Sequence, residues 1–276
     1  MKRIYLIGLI AVLFMAGAAS LCAQGDPNKL TVAFSDPSRP GLLKVGLLQG
    51  SITVRTHSGR DVIITTIDRS TNRSRRTSEA ESQGLRRLDN TASGLTIDEA
   101  NNTMQINTGS WNRSVNLEIQ VPVRTNLQLK TVNGGRILVE GVEGDMEVNN
   151  DNGEVTMTDV SGSVVAHSLN GKVVVTMKRV TPEKAMSFTS LNGNVDVTLP
   201  ADLKANVKLR TDNGEVLTDF DVQLRASATP VIQDNRSRGG RIRIEVDRNI
   251  LGSINGGGPD FTLQTMNGNI YIRKAK

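Results

Sequence analysis

The chain has 276 residues, of which 37% are hydrophobic, 22% charged and only 3% aromatic, with a formal net charge of +5. A nucleic-acid binder would need a concentrated basic face with stacking aromatics, and this composition supplies neither. One cysteine and two histidines are too few for a His/Cys metal site, and nothing in the composition asks for a cofactor.

The N-terminus reads as a secretory signal over residues 1–23. Lys2 and Arg3 form a basic start, Ile4 to Ala16 is almost wholly apolar, and small residues follow through Ser20. The apolar core is short for a membrane span. Cleavage is expected after Ala23, with Ala19 as the second choice. Cys22 opens a lipoprotein reading, which Leu21 immediately before it opposes, because a small residue is wanted there. Processing after Ala23 leaves a cysteine-free chain, 24–276, with net charge +3 and no membrane span. That length can hold a core by packing alone.

The mature chain reads as one domain, with irregular N-terminal repeats over 24–125 and regular ones over 126–276. A Pro/Gly-punctuated entry, Asp36-Pro-Ser-Arg-Pro-Gly41, leads to strand signals up to residue 67. Gly50 and Gly59 lie nine residues apart there, and Thr56-His57-Ser58-Gly59 reads as a degenerate corner. Residues 68–95 interrupt the pattern with six arginines against four acids. They read as a solvated insertion with a short helix near 78–88, or as an anion- or glycan-binding loop. Strand signals resume at Leu95-Thr-Ile97 and Met104-Gln-Ile106. Val115 to Val121 alternates strictly and stops at Pro122.

From residue 131 the chain repeats every nine residues. Ile137, Met146, Val155, Val164 and Val173 form one apolar series, and Val139, Val148, Met157, Ala166 and Val175 a second, each pair preceded by glycine. Two apolar residues flanking one polar residue share a face of a strand. A four- or five-residue strand cannot bury that face alone, whereas stacked copies can. At about twice the period the motif [Ser/Thr]-x-Asn-Gly recurs at Asn133-Gly134, Asn170-Gly171, Asn192-Gly193, Asn213-Gly214 and Asn267-Gly268. Asn152-Gly153 belongs to the series, with Asn150 in the hydroxyl's place. The expected architecture is an all-β, single-chain β-solenoid (β-helix) whose coils hold two strands each. Asn-Gly then sits at the same corner every time, because both residues tolerate positive φ. An antiparallel meander or sandwich is the alternative. The tract 235–246 reads as a lengthened repeat with Ile242, Ile244 and Val246 inward.

The [Ser/Thr]-x-Asn-Gly-x-apolar-x-apolar pattern resembles a bacterial family known as putative adhesins, a domain of unknown function. The likeness covers 125–276 well and 41–67 loosely. It implies a β-solenoid, an exported location and no established catalytic residues.

Neither histidine has a Ser or Cys partner in sequence context: His167 should face solvent and His57 sits in a corner. The outward residue after each corner glycine runs Arg136, Glu154, Lys172, Asn194, Glu215, Asn269, an alternation of charge that suits stacking attraction. The next outward row runs Leu138, Thr156, Val174, Asp196, Leu217, Tyr271. Its apolar members, Leu138, Val174, Leu217 and Tyr271, are candidates for a partner-contact row, unless another segment covers them. The resulting expectation is an exported, non-catalytic cell-envelope binding or scaffold protein, adhesin-like, whose partner is an envelope, matrix or glycan component. The alternatives are a polysaccharide-acting β-helix enzyme, whose acids would come from Asp221, Asp234, Glu245, Asp247 or Asp260, and an envelope-stress accessory protein.

Overall fold

The computed structural model describes residues 29–68, 94–108, 114–225, 231–234, 242–245 and 249–276. The expected signal peptide, all but the edges of the insertion, and Val246 and Asp247 lie outside them. The fold is all-β: every regular element among the described residues is a strand. Twenty strands join in one sheet and two form a separate pair.

The chain opens with β1 (Lys29–Ala33), β2 (Gly41–Gln49), β3 (Ile52–His57) and β4 (Asp61–Asp68), followed by β5 (Leu95–Ala100), β6 (Thr103–Thr108) and β7 (Val115–Pro122). The regular part contains β8 (Thr125–Asn133), β9 (Ile137–Glu140), β10 (Glu143–Asn152), the long β11 (Val155–Asn170), β12 (Val173–Val180), β13 (Met186–Asn192), β14 (Val195–Leu199), β15 (Ala205–Asn213) and β16 (Val216–Thr218). Then come β17 (Val222–Arg225), β18 (Val231–Asp234), β19 (Ile242–Glu245) and β20 (Ile250–Ile254), and finally β21 (Asp260–Asn267) and β22 (Ile270–Lys274).

Period-two alternation fixes which side of each strand is buried. In β7, Val115, Leu117, Ile119 and Val121 are buried and the residues between them are not. In β11 the apolar pairs Val155/Met157 and Val164/Ala166 are buried. Inward residues from all the two-strand units belong to one continuous core. Each fully buried Val, Leu or Ile contributes roughly 1.5–3 kcal/mol by leaving water.

Two parallel ladders carry the regular part. One runs β6, β2, β8, β10, the second half of β11, β13, β21, β15. The other runs β7, β3, β9, the first half of β11, β12, β14, β22, β16. The unit order is the same in both. It departs from chain order twice: β2/β3 lies between β6/β7 and β8/β9, and β21/β22 lies between β13/β14 and β15/β16.

Antiparallel strands flank the stack. β5 turns back on β6 through Asn101 and Asn102, both at positive φ (53° and 63°) as a two-residue hairpin turn requires. β4 runs antiparallel to β7, and β1 to β4. At the other end β20 pairs antiparallel with both β15 and β17. The described part of the tract expected to be a lengthened repeat does not join the stack: β19 pairs antiparallel with β18 in the separate two-stranded sheet. A short alternating run has the same pattern in either setting, so Ile242 and Ile244 could not distinguish them.

Candidate functional site

Six units present the same corner, and hydrogen bonds join it from unit to unit. The hydroxyl of each motif donates to the carbonyl of the preceding unit's corner glycine. Thr131 reaches Gly50 O at 3.2 Å, Ser168 Gly153 O at 2.9 Å, Ser190 Gly171 O at 2.9 Å, Thr265 Gly193 O at 2.8 Å and Thr211 Gly268 O at 2.8 Å. Asn150 fills the place by donating Nδ2 to Gly135 O at 2.8 Å and to Glu154 O at 3.2 Å, but its own Oδ1 is buried without a partner. Two residues on, the asparagines form an unbroken amide ladder. Asn213 donates to Asn267 (2.8 Å), Asn267 to Asn192 (2.7 Å), Asn192 to Asn170 (2.7 Å), Asn170 to Asn152 (2.9 Å) and Asn152 to Asn133 (3.2 Å).

Positive φ occurs at Gly50, Gly134 and Gly268 (126°, 80° and 157°), as expected of such corners, but at Gly171 and Gly193 the glycine serves close approach instead. A Cβ on Gly193 would lie 2.5 Å from Gly171 O, and one on Gly171 would lie 2.2 Å from Gly153 O. Neither residue has positive φ, so the expected conformational reason is replaced by a steric one. The first unit's corner is Gly50, whose carbonyl accepts from Thr131; Gly59 lies in the turn between β3 and β4. In that turn His57 accepts from Gly59 N–H at Nδ1 (3.1 Å), and its Nε2 lies 2.7 Å from Asp61 O. This geometry fits the neutral ring with its proton on Nε2.

Between hydroxyl and asparagine, the motif's second residue points out. Leu169, Leu191 and Met266 occupy that position on three consecutive units and are 38%, 36% and 45% exposed, with Asp151 and Asp212 at the same position on the units either side. This apolar stripe was overlooked in the sequence, although the second column of the aligned motif spells it out.

The predicted contact row is in register across the second ladder, but stacks as Leu138, Thr156, Val174, Asp196, Tyr271, Leu217. Insertion of the last unit makes Tyr271 and Leu217 neighbours. Leu138, Val174 and Tyr271 are half-buried, and Leu217 is 44% exposed. Arg273 lies over the Tyr271 ring, 5.0 Å from its centroid, and also donates to Asp196 at 2.8 and 3.1 Å. The row after the glycines follows the same altered order. Lys172 pairs with Glu154 at 3.3 Å, while Asn194 accepts from Asn269 N–H and Asn269 from Glu215 N–H, each at 2.9 Å.

Several acids elsewhere on the outside are joined to other units. Arg55 donates to Glu140, and Arg179 to Glu143. Lys184 meets Asp145 at 2.7 Å, and this ammonium together with the Ser163 hydroxyl holds the Asp145 carboxyl below its usual range. Glu143, Asp145 and Arg179 line an open groove of about 520 Å³ together with Pro40, Asn126 and Pro182. The Asp36 carboxylate, bonded to Ser38 and Arg39, is lowered to about 2. His167 is half-buried on the first ladder's outer face, 2.8 Å from the Thr189 hydroxyl. Among the acids of the alternative reading, Asp260 accepts from Asn206 at 3.3 Å, while Asp234 and Glu245 lie in β18 and β19, on opposite strands of the antiparallel pair.

No protein-family model matches this sequence, and no curated protein does. Among solved structures, the chain is similar to one described as a putative cell adhesion protein from Clostridium sporogenes ATCC 15579. They share 8% identity with a TM-score of 0.45, over 91% of this chain and 100% of that one. It is also similar to one described as a putative adhesin from Bacteroides fragilis NCTC 9343, at 10% identity and a TM-score of 0.31, over 91% and 98% of the two chains. Among the described residues, no helix is long and apolar enough to cross a membrane.

Proposed function

We propose that the chain is an exported, non-catalytic envelope protein, adhesin-like, that binds or scaffolds through the outer faces of a two-strand β-solenoid. In this reading residues 1–23 are removed as a signal, and residues 24–276 form one domain. The observation that carries it is the shared unit order of the two parallel ladders, which sets equivalent outward side chains of successive units in rows. A surface repeated in this way suits an extended partner better than a single reaction centre. Several acids on these faces, among them Glu140, Glu143, Asp145 and Glu154, are paired with cations from other units, which supports a structural role for them. Leu138, Val174, Leu217 and Tyr271 are the proposed contact row, facing an envelope, matrix or glycan component.

The test is a binding screen of purified protein against immobilised glycans and envelope components, run in parallel with Leu138→Lys/Val174→Lys. Both side chains are half-buried at the surface, so the double variant should keep the wild-type circular dichroism and lose the partner. Unchanged binding would remove the row from the interface. Turnover of a pectic, alginate-like or peptidoglycan substrate that vanishes on Asp260→Ala would replace the binding reading with the enzymatic one.

A further inference from the structure

Three arginines from distant parts of the chain converge at the N-terminal end of the stack. Arg39 lies between β1 and β2, Arg60 between β3 and β4, and Arg124 between β7 and β8. Together they line a small recess of about 100 Å³ with Phe34, Pro40 and Pro122, and no carboxylate lines it.

The three turns are braced independently. Asn102 holds the first through its bonds to Arg39 O and Pro40 O (3.4 and 3.3 Å). His57 spans the second, and the Thr125 hydroxyl closes the third on Pro122 O at 2.7 Å. Phe34 packs flush against Gly41, where a Cβ would sit 2.6 Å from the ring, and this forms an apolar floor. Arg39 donates its Nε to Asp36 at 2.7 Å and its side chain is 71% exposed. Arg60 and Arg124 have no carboxylate partner among the described residues, although most of the other described arginines do. Guanidinium groups stay charged, and they match oxyanions through paired donors. Three exposed guanidinium groups around one recess, only one of them paired with a carboxylate, offer an entering oxyanion several charge-assisted donors.

We propose that this recess binds one oxyanion group, the sulfate, phosphate or carboxylate of an acidic glycan or envelope polymer. The experiment titrates the purified protein, in low-salt buffer, with inorganic sulfate, inorganic phosphate and glucuronate, followed by amide NMR shifts. Saturable shifts confined to the turns carrying Ser38, Arg60 and Arg124 are expected. The arm that binds best identifies the polymer as sulfated, phosphorylated or uronic. Arg60→Gln and Arg124→Gln should each weaken binding about tenfold, the loss of one charge-assisted bond. Arg60→Lys, which keeps the charge, should weaken it less, and Arg179→Gln, in the neighbouring groove, should leave it unchanged. The wild-type melting temperature serves as the control for folding. No saturation with any of the three anions, or binding indifferent to both Gln variants, would overturn the proposal.

Discussion

Gly193 has room for a hydrogen and little else, because its neighbour Gly171 presents a carbonyl oxygen 2.5 Å from where a Cβ would sit. Gly134 is the opposite case, with φ at +80° and open space around it. The two glycines therefore separate the two reasons a corner can demand this residue. Gly134→Ala should cost only the left-handed strain, about 1 kcal/mol. Gly193→Ala must push two backbones apart and should cost about 2–3 kcal/mol, the upper range of overpacking. Urea unfolding of both variants checks this, and equal losses would show that backbone conformation governs both positions. The glycine positions were legible in the sequence, and so was the cause at Gly134, but the cause at Gly193 was not. Asn-Gly looks the same whether it serves a turn or a tight stack, and only the neighbour's carbonyl decides.

At the level of the element, the hydroxyl row is a continuous device with one irregular member. Asn150 is fully buried and leaves Oδ1 unpartnered, while Glu154 O, to which it donates, also accepts from Ile137 N–H. Asn150→Thr would copy Thr265, keep the bond to Gly135 O, and remove a buried acceptor whose isolation costs about 1–3 kcal/mol. A gain of about 1 kcal/mol is expected by thermal or urea unfolding, and a loss would mean that the second amide bond matters more than the orphaned oxygen. The missing hydroxyl at Asn150 was visible in the sequence. The amide ladder through the six asparagines was not, because side-chain bonding across units depends on a register that a single sequence does not specify. The same applies to the contact row: its members were legible, and their order was not. β5/β6 and β18/β19 show the limit of periodicity, since an alternating strand carries no mark of whether its neighbour runs parallel or antiparallel.

The whole molecule has a stacking order that the chain does not follow. The last unit, β21/β22, enters between β13/β14 and β15/β16, and the first, β2/β3, lies inside β6/β7. These reversals bring Tyr271 beside Leu217, order the asparagine ladder, and lay antiparallel strands over both ends of the first ladder, leaving β17 at one edge. Sequence spacing suggested the interruption, through the gap of 54 residues before the last Asn-Gly, but supplied nothing to place that unit. Disulfide trapping in a Cys22→Ser background tests the order directly. Thr189 and Gln264 are register partners on adjacent strands, and Gln264 in turn partners Arg210. Adjacent strands lie about 4.8 Å apart, within reach of a disulfide, and strands two apart lie at about twice that distance, beyond it. Thr189→Cys with Gln264→Cys should therefore cross-link within one chain on mild oxidation, and Thr189→Cys with Arg210→Cys should not. The reverse result would mean that the units stack in chain order and would contradict the architecture on which the rows of outward side chains depend.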